Sequence, residues 1–225
     1  MDLALFDLDH TLIPFDSGMA WTRFLAARGV LPAVAPDDYL AACQAYVDGR
    51  LDIVALHRAT VAPLGAFPPT AIDVWAADFE AAMAPRLPAL MQALVSRHRN
   101  AGALCALVTA TTRFIAEPFA RLFDIPYVIA TESARDARGR FTGEIVGLPC
   151  FREHKRSRVE DWLATRSLGL HAFDHSWFYT DSFNDLPLLE AVSDPVAVRP
   201  DARLRARAQQ AGWALVDEGQ LLCKP

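Results

Sequence analysis

Cysteine is sparse in this 225-residue chain and forms no motif. Cys43, Cys105, Cys150 and Cys223 are scattered without a Cys-x-x-Cys pair, which leaves reduced packing thiols and excludes a disulfide framework or thiolate metal site as the organising feature. No run of eighteen apolar residues occurs, so no segment reads as a membrane span. Neither a charged leader nor an apolar signal helix stands before the first predicted strand, and the cytoplasm is the expected location. The 22 Lys and Arg form no run beyond short pairs, and net charge is −5 with a pI near 5.6. Arg203, Arg205 and Arg207 read as a solvated helix face, so nucleic acid is not an expected partner. Internal repeats and low-complexity linkers are also missing. What remains is an ordinary globular composition, 52% hydrophobic and 22% charged, long enough for one core and a small accessory domain.

Periodicity divides the chain into three parts. Leu3 to Phe6 reads as a buried strand. Helical patterns follow from Asp16 to about Met83: Ser17 to Arg28, stopped by Gly29; Asp37 to Val47; Leu51 to Val61; and roughly Thr70 to Met83 after Pro68-Pro69. Beyond Pro85 and Pro88 a helix to Asn100 opens an alternation of strands (Leu104 to Val108, Tyr127 to Ala130, His175 to Tyr179, Pro195 to Val198, Trp213 to Val216) with helices (Phe114 to Leu122, Ser157 to Thr165, Leu186 to Ala191, one from Asp201). Arg135 to Val146, with Gly139 at its turn, reads as a β-hairpin. The alternation predicts an α/β fold, a doubly wound and mostly parallel sheet with helices on both faces. An α/β core is expected over 1–14 and 85–225. A small all-helical cap is expected over 15–84, lying on the sheet's carboxyl edge.

Carboxylates concentrate where those strands end. Asp7 and Asp9 follow the first strand; two like charges there cost free energy unless a cation or proton relieves them. Thr109-Ala110-Thr111-Thr112 follows Leu104 to Val108, and Asp181-Ser182-Phe183-Asn184-Asp185 follows Trp177 to Thr180. Arg152-Glu153-His154-Lys155 stands at a helix start between them. Taken singly, these residues have plain structural readings: an Asx-turn for the first acids, an N-cap for Thr109, a surface ammonium for Lys155, turn acids for Asp181 and Asp185. Strand ends of a doubly wound sheet converge on one crevice, however. Four acids gathered there need a divalent cation, and an all-oxygen ligand set suits Mg²⁺. A hydroxyl and an ammonium beside them suit a phosphoryl group.

In their order, these segments resemble the four motifs of the haloacid dehalogenase-like hydrolases: Asp7-Leu8-Asp9-His10-Thr11, Thr109, Lys155, and Asp181 to Asp185. The helical insertion between the first two resembles the cap of the phosphoserine-phosphatase-like branch. The resemblance implies a Mg²⁺-dependent phosphatase acting on a small phosphorylated metabolite. Asp7 would form an aspartyl-phosphate, and Asp9 would protonate the leaving alkoxide and then activate water. The carbon–halogen-cleaving members lack the second acid, so phosphate chemistry is favoured. The metal would sit on the Asp7 and Asp181 carboxylates and the Asp9 backbone carbonyl, with Asn184 and Asp185 behind them. Thr109, Lys155 and the backbone N–H groups of Leu8, Asp9 and Ala110 would hold the phosphoryl oxygens. Alternatives within the fold are phosphoryl transfer to an acceptor alcohol, or a non-catalytic module that binds a phosphometabolite.

The same resemblance bears on the substrate. Asp16, nine residues after Asp7, stands where the serine-phosphate enzymes grip the substrate ammonium; read locally, it caps the helix from Ser17. Thr60 stands where those enzymes carry a carboxylate-binding arginine, with Arg58 two residues away. Thr109-Ala110-Thr111 replaces their Ser-Gly-Gly. An acid without its arginine is expected to favour an ammonium without a carboxylate, so histidinol phosphate is expected over phosphoserine. Phe15, Trp21, Phe24 and Tyr46 supply aromatic rings that could face an imidazole.

Overall fold

The computed structural model describes residues 1–217; Cys223 lies outside the described residues. Strand β1 (Leu3–Phe6) is buried on both faces. Helices α1 (Ser17–Ala27), α2 (Ala35–Val47), α3 (Ile53–Val61) and α4 (Pro69–Met83) follow it, then α5 (Ala89–Asn100). The remaining elements are β2 (Leu104–Thr112), α6 (Arg113–Leu122), β3 (Tyr127–Thr131), β4 (Ser133–Arg135), β5 (Phe141–Ile145), α7 (Glu153–Ala164), β6 (Ser176–Thr180), α8 (Leu186–Leu189), β7 (Asp194–Val198), α9 (Ala202–Ala211) and β8 (Ala214–Val216). Among the described residues a six-stranded sheet runs β3-β2-β1-β6-β7-β8, parallel at every pairing. β4 and β5 form a separate antiparallel hairpin.

β1 pairs with β2 on one side and β6 on the other, in matched register: Phe6 lies opposite both Leu107 and Tyr179. The chain winds outward from β1 in both directions, so the strand order reverses there and a crevice opens beyond its carboxyl end. Alternate β1 side chains enter two apolar clusters. Ala4 and Phe6 join Trp21, Phe79, Met91 and Phe119 on one face, while Leu3 and Leu5 join Val159, Leu163, Leu188 and Leu204 on the other. Helices on both faces explain why β1 is continuously apolar rather than alternating.

α1 and α4 share one buried cluster with the core. Trp21 meets Phe79 edge-on at 5.2 Å and Phe114 at 5.7 Å, and Phe79 meets Phe119 at 5.7 Å. Each such buried ring contributes about 1.5–3 kcal/mol. α3 and the turn after it lean instead on the hairpin: Gly65, in that turn, lies so close to the Phe141 carbonyl that a Cβ would stand 2.3 Å from it, and a Cβ on Gly143 of β5 would meet Arg58 of α3 at 3.3 Å. α2 has no buried residue along its length.

Two of the boundaries that differ from the sequence reading bear on the site. β2 continues to Thr112, because Thr109 and Thr112 still pair with β3 across an irregularity. Thr109 therefore does not cap α6; Thr112 occupies that position, with no side-chain cap bond. α7 opens at Glu153, four residues earlier than the Ser157 expected, after Arg152 turns the backbone with φ +52°. Lys155 thereby falls in the first turn of α7. Arg203, Arg205 and Arg207 are engaged on α9 with the Phe183 ring, Asp217 and Glu190. Among the described residues no helix is long and apolar enough to cross a membrane.

Candidate active site

β1 ends at Phe6, so Asp7 emerges into the crevice, 6% exposed. The first turn of α7 delivers Lys155 to it. The ammonium donates to Asp7 Oδ1 at 2.7 Å and to Asp185 Oδ2 at 2.6 Å, and Lys155 is 3% exposed. Burial alone would lower the Lys155 pKa, but Asp185 and Asp7 hold it well above the ordinary value. Thr180, the last residue of β6, donates to the same Asp185 oxygen at 2.6 Å. Asp181 follows it. Its backbone N–H donates to Thr11 Oγ1 at 3.0 Å, and that hydroxyl reaches both Asp7 Oδ2 (3.1 Å) and Asp181 Oδ1 (3.2 Å). Two buried carboxyl groups, Asp7 and Asp185, thus grip one ammonium, and Thr11 ties Asp181 to Asp7. Burial, then the Asp7 charge, pushes the Asp181 carboxyl up to about 7; burial likewise raises Asp7 against the pull of Lys155.

The loop after β1 is held from outside. Arg199 donates to the His10 carbonyl (2.9 Å) and the Thr11 carbonyl (2.6 Å), and His10 takes a left-handed φ of +58°. Asp9 points away from Asp7, toward the helical segment. Its Oδ1 accepts from the Ser17 N–H at 2.6 Å and its Oδ2 from Thr111 Oγ1 at 2.6 Å. Burial first, then the neighbouring Asp16 charge, pushes Asp9 up to about 7.

A cavity of about 160 Å³ is lined by Asp9, Ala110 and Thr111 together with Asp16, Tyr39 of α2 and His57 of α3. Its charged lining residues are acids, Asp9 and Asp16. Asp16 does cap α1, accepting from the Met19 N–H at 2.6 Å, and also accepts from the Tyr39 hydroxyl at 2.9 Å. Both bonds use Oδ1. Tyr39 approaches over Gly18, where a Cβ would stand 2.3 Å from the phenolic oxygen; glycine there is what lets α2 come down.

The structure thus brings Asp7, Asp181, Lys155 and Asp185 into one cluster and sets Asp9 beside it. Thr109 is buried at the end of the paired stretch of β2, its Oγ1 accepting from the Thr111 N–H at 3.2 Å. Ala110 lines the cavity with its carbonyl engaged by Thr131. Asn184 is half-buried, its N–H bonded to Ser182 Oγ. Arg58 is the exception: it points out of the cavity and forks onto Glu144 of β5 at 3.0 and 2.9 Å. Arg58 and Thr60 sit on different faces of α3, and the Thr60 hydroxyl bonds back to the Leu56 carbonyl at 2.9 Å. The four aromatic residues singled out in the sequence pack elsewhere. Trp21 and Phe24 stack in the core, Phe15 lies against Phe119 and Tyr46 against Phe151. The ring that does enter the cavity is Tyr39, which carried no sequence signal beyond its place on an amphipathic helix. Thr11, which ends the first motif and was assigned no role of its own, joins two acids.

The donor chemistry fits a hard cation. Asp7 and Asp181, bridged by Thr11, crowd oxygen ligands and negative charge that Lys155 only partly offsets. Among the described residues no three His, Cys, Asp or Glu side chains form a closed metal cluster, so two carboxylates would need backbone oxygen and water to complete a shell.

The sequence model of the haloacid dehalogenase-like hydrolases matches residues 4–190. A histidinol-phosphatase of Neisseria meningitidis serogroup C (strain 8013) is 36% identical over 218 residues, 96% of this chain and 98% of the relative. Phosphoserine phosphatase SerB1 of Mycobacterium tuberculosis (strain ATCC 25618 / H37Rv) is 30% identical, over 95% of this chain and 70% of its own. A protein of unknown function from Bordetella pertussis Tohama I has the same structure with a TM-score of 0.90 at 43% identity, covering 96% of this chain and 98% of that one. A substrate-bound phosphoserine phosphatase shares the fold with a TM-score of 0.64 at 16% identity, over 95% of this chain and 91% of that one.

Proposed function

The chain belongs to the haloacid dehalogenase-like hydrolases, in their phosphoserine-phosphatase-like branch, and is a phosphatase; we propose that it hydrolyses the phosphomonoester of a small amino alcohol, histidinol phosphate, through Asp7. The observation that carries the reading is the Lys155 ammonium held between Asp7 and Asp185 in a buried crevice. It fixes the Asp7 carboxylate and offers a cation to phosphoryl oxygens that arrive beside it.

In this reading an Asp7 oxygen attacks phosphorus as the ester P–O bond breaks, and the leaving alkoxide takes a proton from Asp9. Water then attacks the aspartyl-phosphate, passes its proton to Asp9, and releases phosphate and free Asp7. A carboxyl pushed up to about 7 suits both halves of that cycle, because it gives and regains a proton near neutrality. Ser17 and Thr111 keep it facing the leaving group. Asp7, Asp181 and the Asp9 carbonyl would hold Mg²⁺, which when bound offsets the charge of the phosphoryl group; Asn184 and Asp185 support that set. Thr109, Ala110 and Lys155 receive the phosphoryl oxygens.

Residues 15–84 act as the cap that selects the substrate over the core of 1–14 and 85–225. The cavity beneath it presents Asp16 with Oδ2 unused by its two bonds, while Arg58 is committed to Glu144. An ammonium is matched there, and a carboxylate meets no counter-charge. The full-length relative named for histidinol phosphate agrees with this choice. Turnover of histidinol phosphate, phosphoserine and p-nitrophenyl phosphate with Mg²⁺ tests it. We expect histidinol phosphate to lead by at least tenfold in kcat/KM, and Asp7→Asn to abolish all three. A lead for phosphoserine would overturn the substrate, and activity retained in Asp7→Asn would overturn the nucleophile.

A further inference from the structure

Tyr39 and Thr60 each line two cavities. One is the cavity of about 160 Å³ shared with Asp9 and Asp16. The other, of about 260 Å³, lies within the helical segment and is lined by Leu31, Pro32, Ala42 of α2 and Ala59 of α3. Alanine is too short to fill such a gap, and α2 buries no side chain along its length. The threonine hydroxyls that line the second cavity are already committed. Thr22 donates to the Gly18 carbonyl at 2.8 Å, and Thr60 to the Leu56 carbonyl at 2.9 Å. Apart from the exposed Asp38 and from Tyr39 itself, the lining is therefore apolar in character. Tyr39 is also the larger of the two residues the cavities share. Its hydroxyl is fixed to Asp16 at 2.9 Å, over Gly18, so the ring cannot turn aside without giving up that bond.

We propose that Tyr39 is a specificity-determining residue: it is the partition between the two cavities, and it sets the upper size of the substrate's organic group. The volumes decide what fits. An apolar cavity of about 150 Å³ takes one six-membered ring, so the one beside Asp9 has room for a single small ring. A fused pair of rings would need part of the second cavity, which the phenol closes off. Packing discriminates by size because a group that does not fit must displace a held side chain. The inference rests on the amino-alcohol phosphatase reading and narrows it to substrates with one small ring or less.

The test compares histidinol phosphate with tryptophanol phosphate, which share the ammonium and phosphate and differ in ring size. Wild-type kcat/KM is expected to favour the first by about tenfold or more. Tyr39→Ala should shift that ratio toward tryptophanol phosphate by about tenfold or more. Tyr39→Phe keeps the ring and loses the bond to Asp16, so KM should rise alike for both esters and the ratio should hold. Loss of that bond, or of folded protein, scales both esters together; the ratio reads only the partition. Ala42 lines the second cavity and not the first. Ala42→Leu should reverse most of the shift when added to Tyr39→Ala, and alone should leave histidinol phosphate turnover unchanged. Four outcomes would overturn the role of Tyr39 and leave the phosphatase reading standing: equal wild-type use of both esters, a ratio unmoved in Tyr39→Ala, an equal shift in Tyr39→Phe, or a shift that Ala42→Leu does not reverse. Wild-type turnover of p-nitrophenyl phosphate with none of either amino-alcohol ester would instead overturn the substrate assignment, and this inference with it.

Discussion

Lys155 shows how a single side chain can matter twice. Its ammonium is the cation that makes two buried carboxylates tolerable, so removing it leaves charge without a partner. Lys155→Met is expected to destabilise the fold by roughly 3–5 kcal/mol in urea at neutral pH without added metal. Adding Asp185→Asn to that variant should recover much of the stability and none of the activity, which separates the structural role from the chemical one. His98 carries a different signature. Burial, then the Arg97 charge, pushes it down to about 4 from an ordinary 6.5, and its Nε2 lies 2.7 Å from the Tyr179 hydroxyl. The unfolded chain binds the proton first on acidification, so stability is lost as pH falls from about 6.5 toward 4, by on the order of 2 kcal/mol. His98→Leu should flatten that part of the stability-against-pH curve, whatever its effect at pH 7. Asp7, Asp9, Lys155 and Asp181 were legible because each stands at a fixed offset from a strand or helix end. Thr11 and Tyr39 were not. A threonine in a turn and a tyrosine on an amphipathic helix reach the acids only when distant segments close on them.

Among the helices, α1 and α2 differ most. α1 buries Trp21, Phe24 and Leu25 and is capped by Asp16, whereas α2 buries nothing and reaches the site through Tyr39. That contact depends on Gly18. In an exposed helix Gly→Ala stabilises by about 0.5–1 kcal/mol; here the new methyl would collide with the Tyr39 hydroxyl. Gly18→Ala is therefore expected to bring no rise in Tm and to raise KM for an amine substrate several-fold, with p-nitrophenyl phosphate turned over normally. Element identities followed from apolar period and from Gly and Pro punctuation, as Gly29 at the end of α1 and Pro69 at the start of α4 illustrate. What escaped that reading was long-range. β2 runs on to Thr112 because β3 is there to pair with it, and Arg58 leaves the cavity because Glu144 of the hairpin lies within reach. Neither partner is visible in the local pattern of α3 or β2.

The parallel sheet sets the site where its winding reverses, and the acids at that point outnumber the cations. Mg²⁺ should therefore stabilise the folded chain more than the unfolded one. At a hundred times its dissociation constant it adds about 2.7 kcal/mol, a rise of about 5–10 °C in Tm for a protein of this size. Asp181→Asn should abolish the rise, chelation should reverse it and stop turnover, and an unchanged Tm in Mg²⁺ titration would refute the assignment of the cation to this cluster. The doubly wound topology was readable from strand and helix alternation. The merging of α1 and α4 with the core was not, because it depends on which aromatic rings meet.

That merging makes the enclosure stiff. Rings from α1, α4 and α6 interlock as one block, α3 and the turn after it are clasped by the hairpin, and α2 packs along α1 and α3 with Tyr39 on Asp16. The walls around Asp16 therefore stand before any cargo arrives, and fit is set by a shape already made.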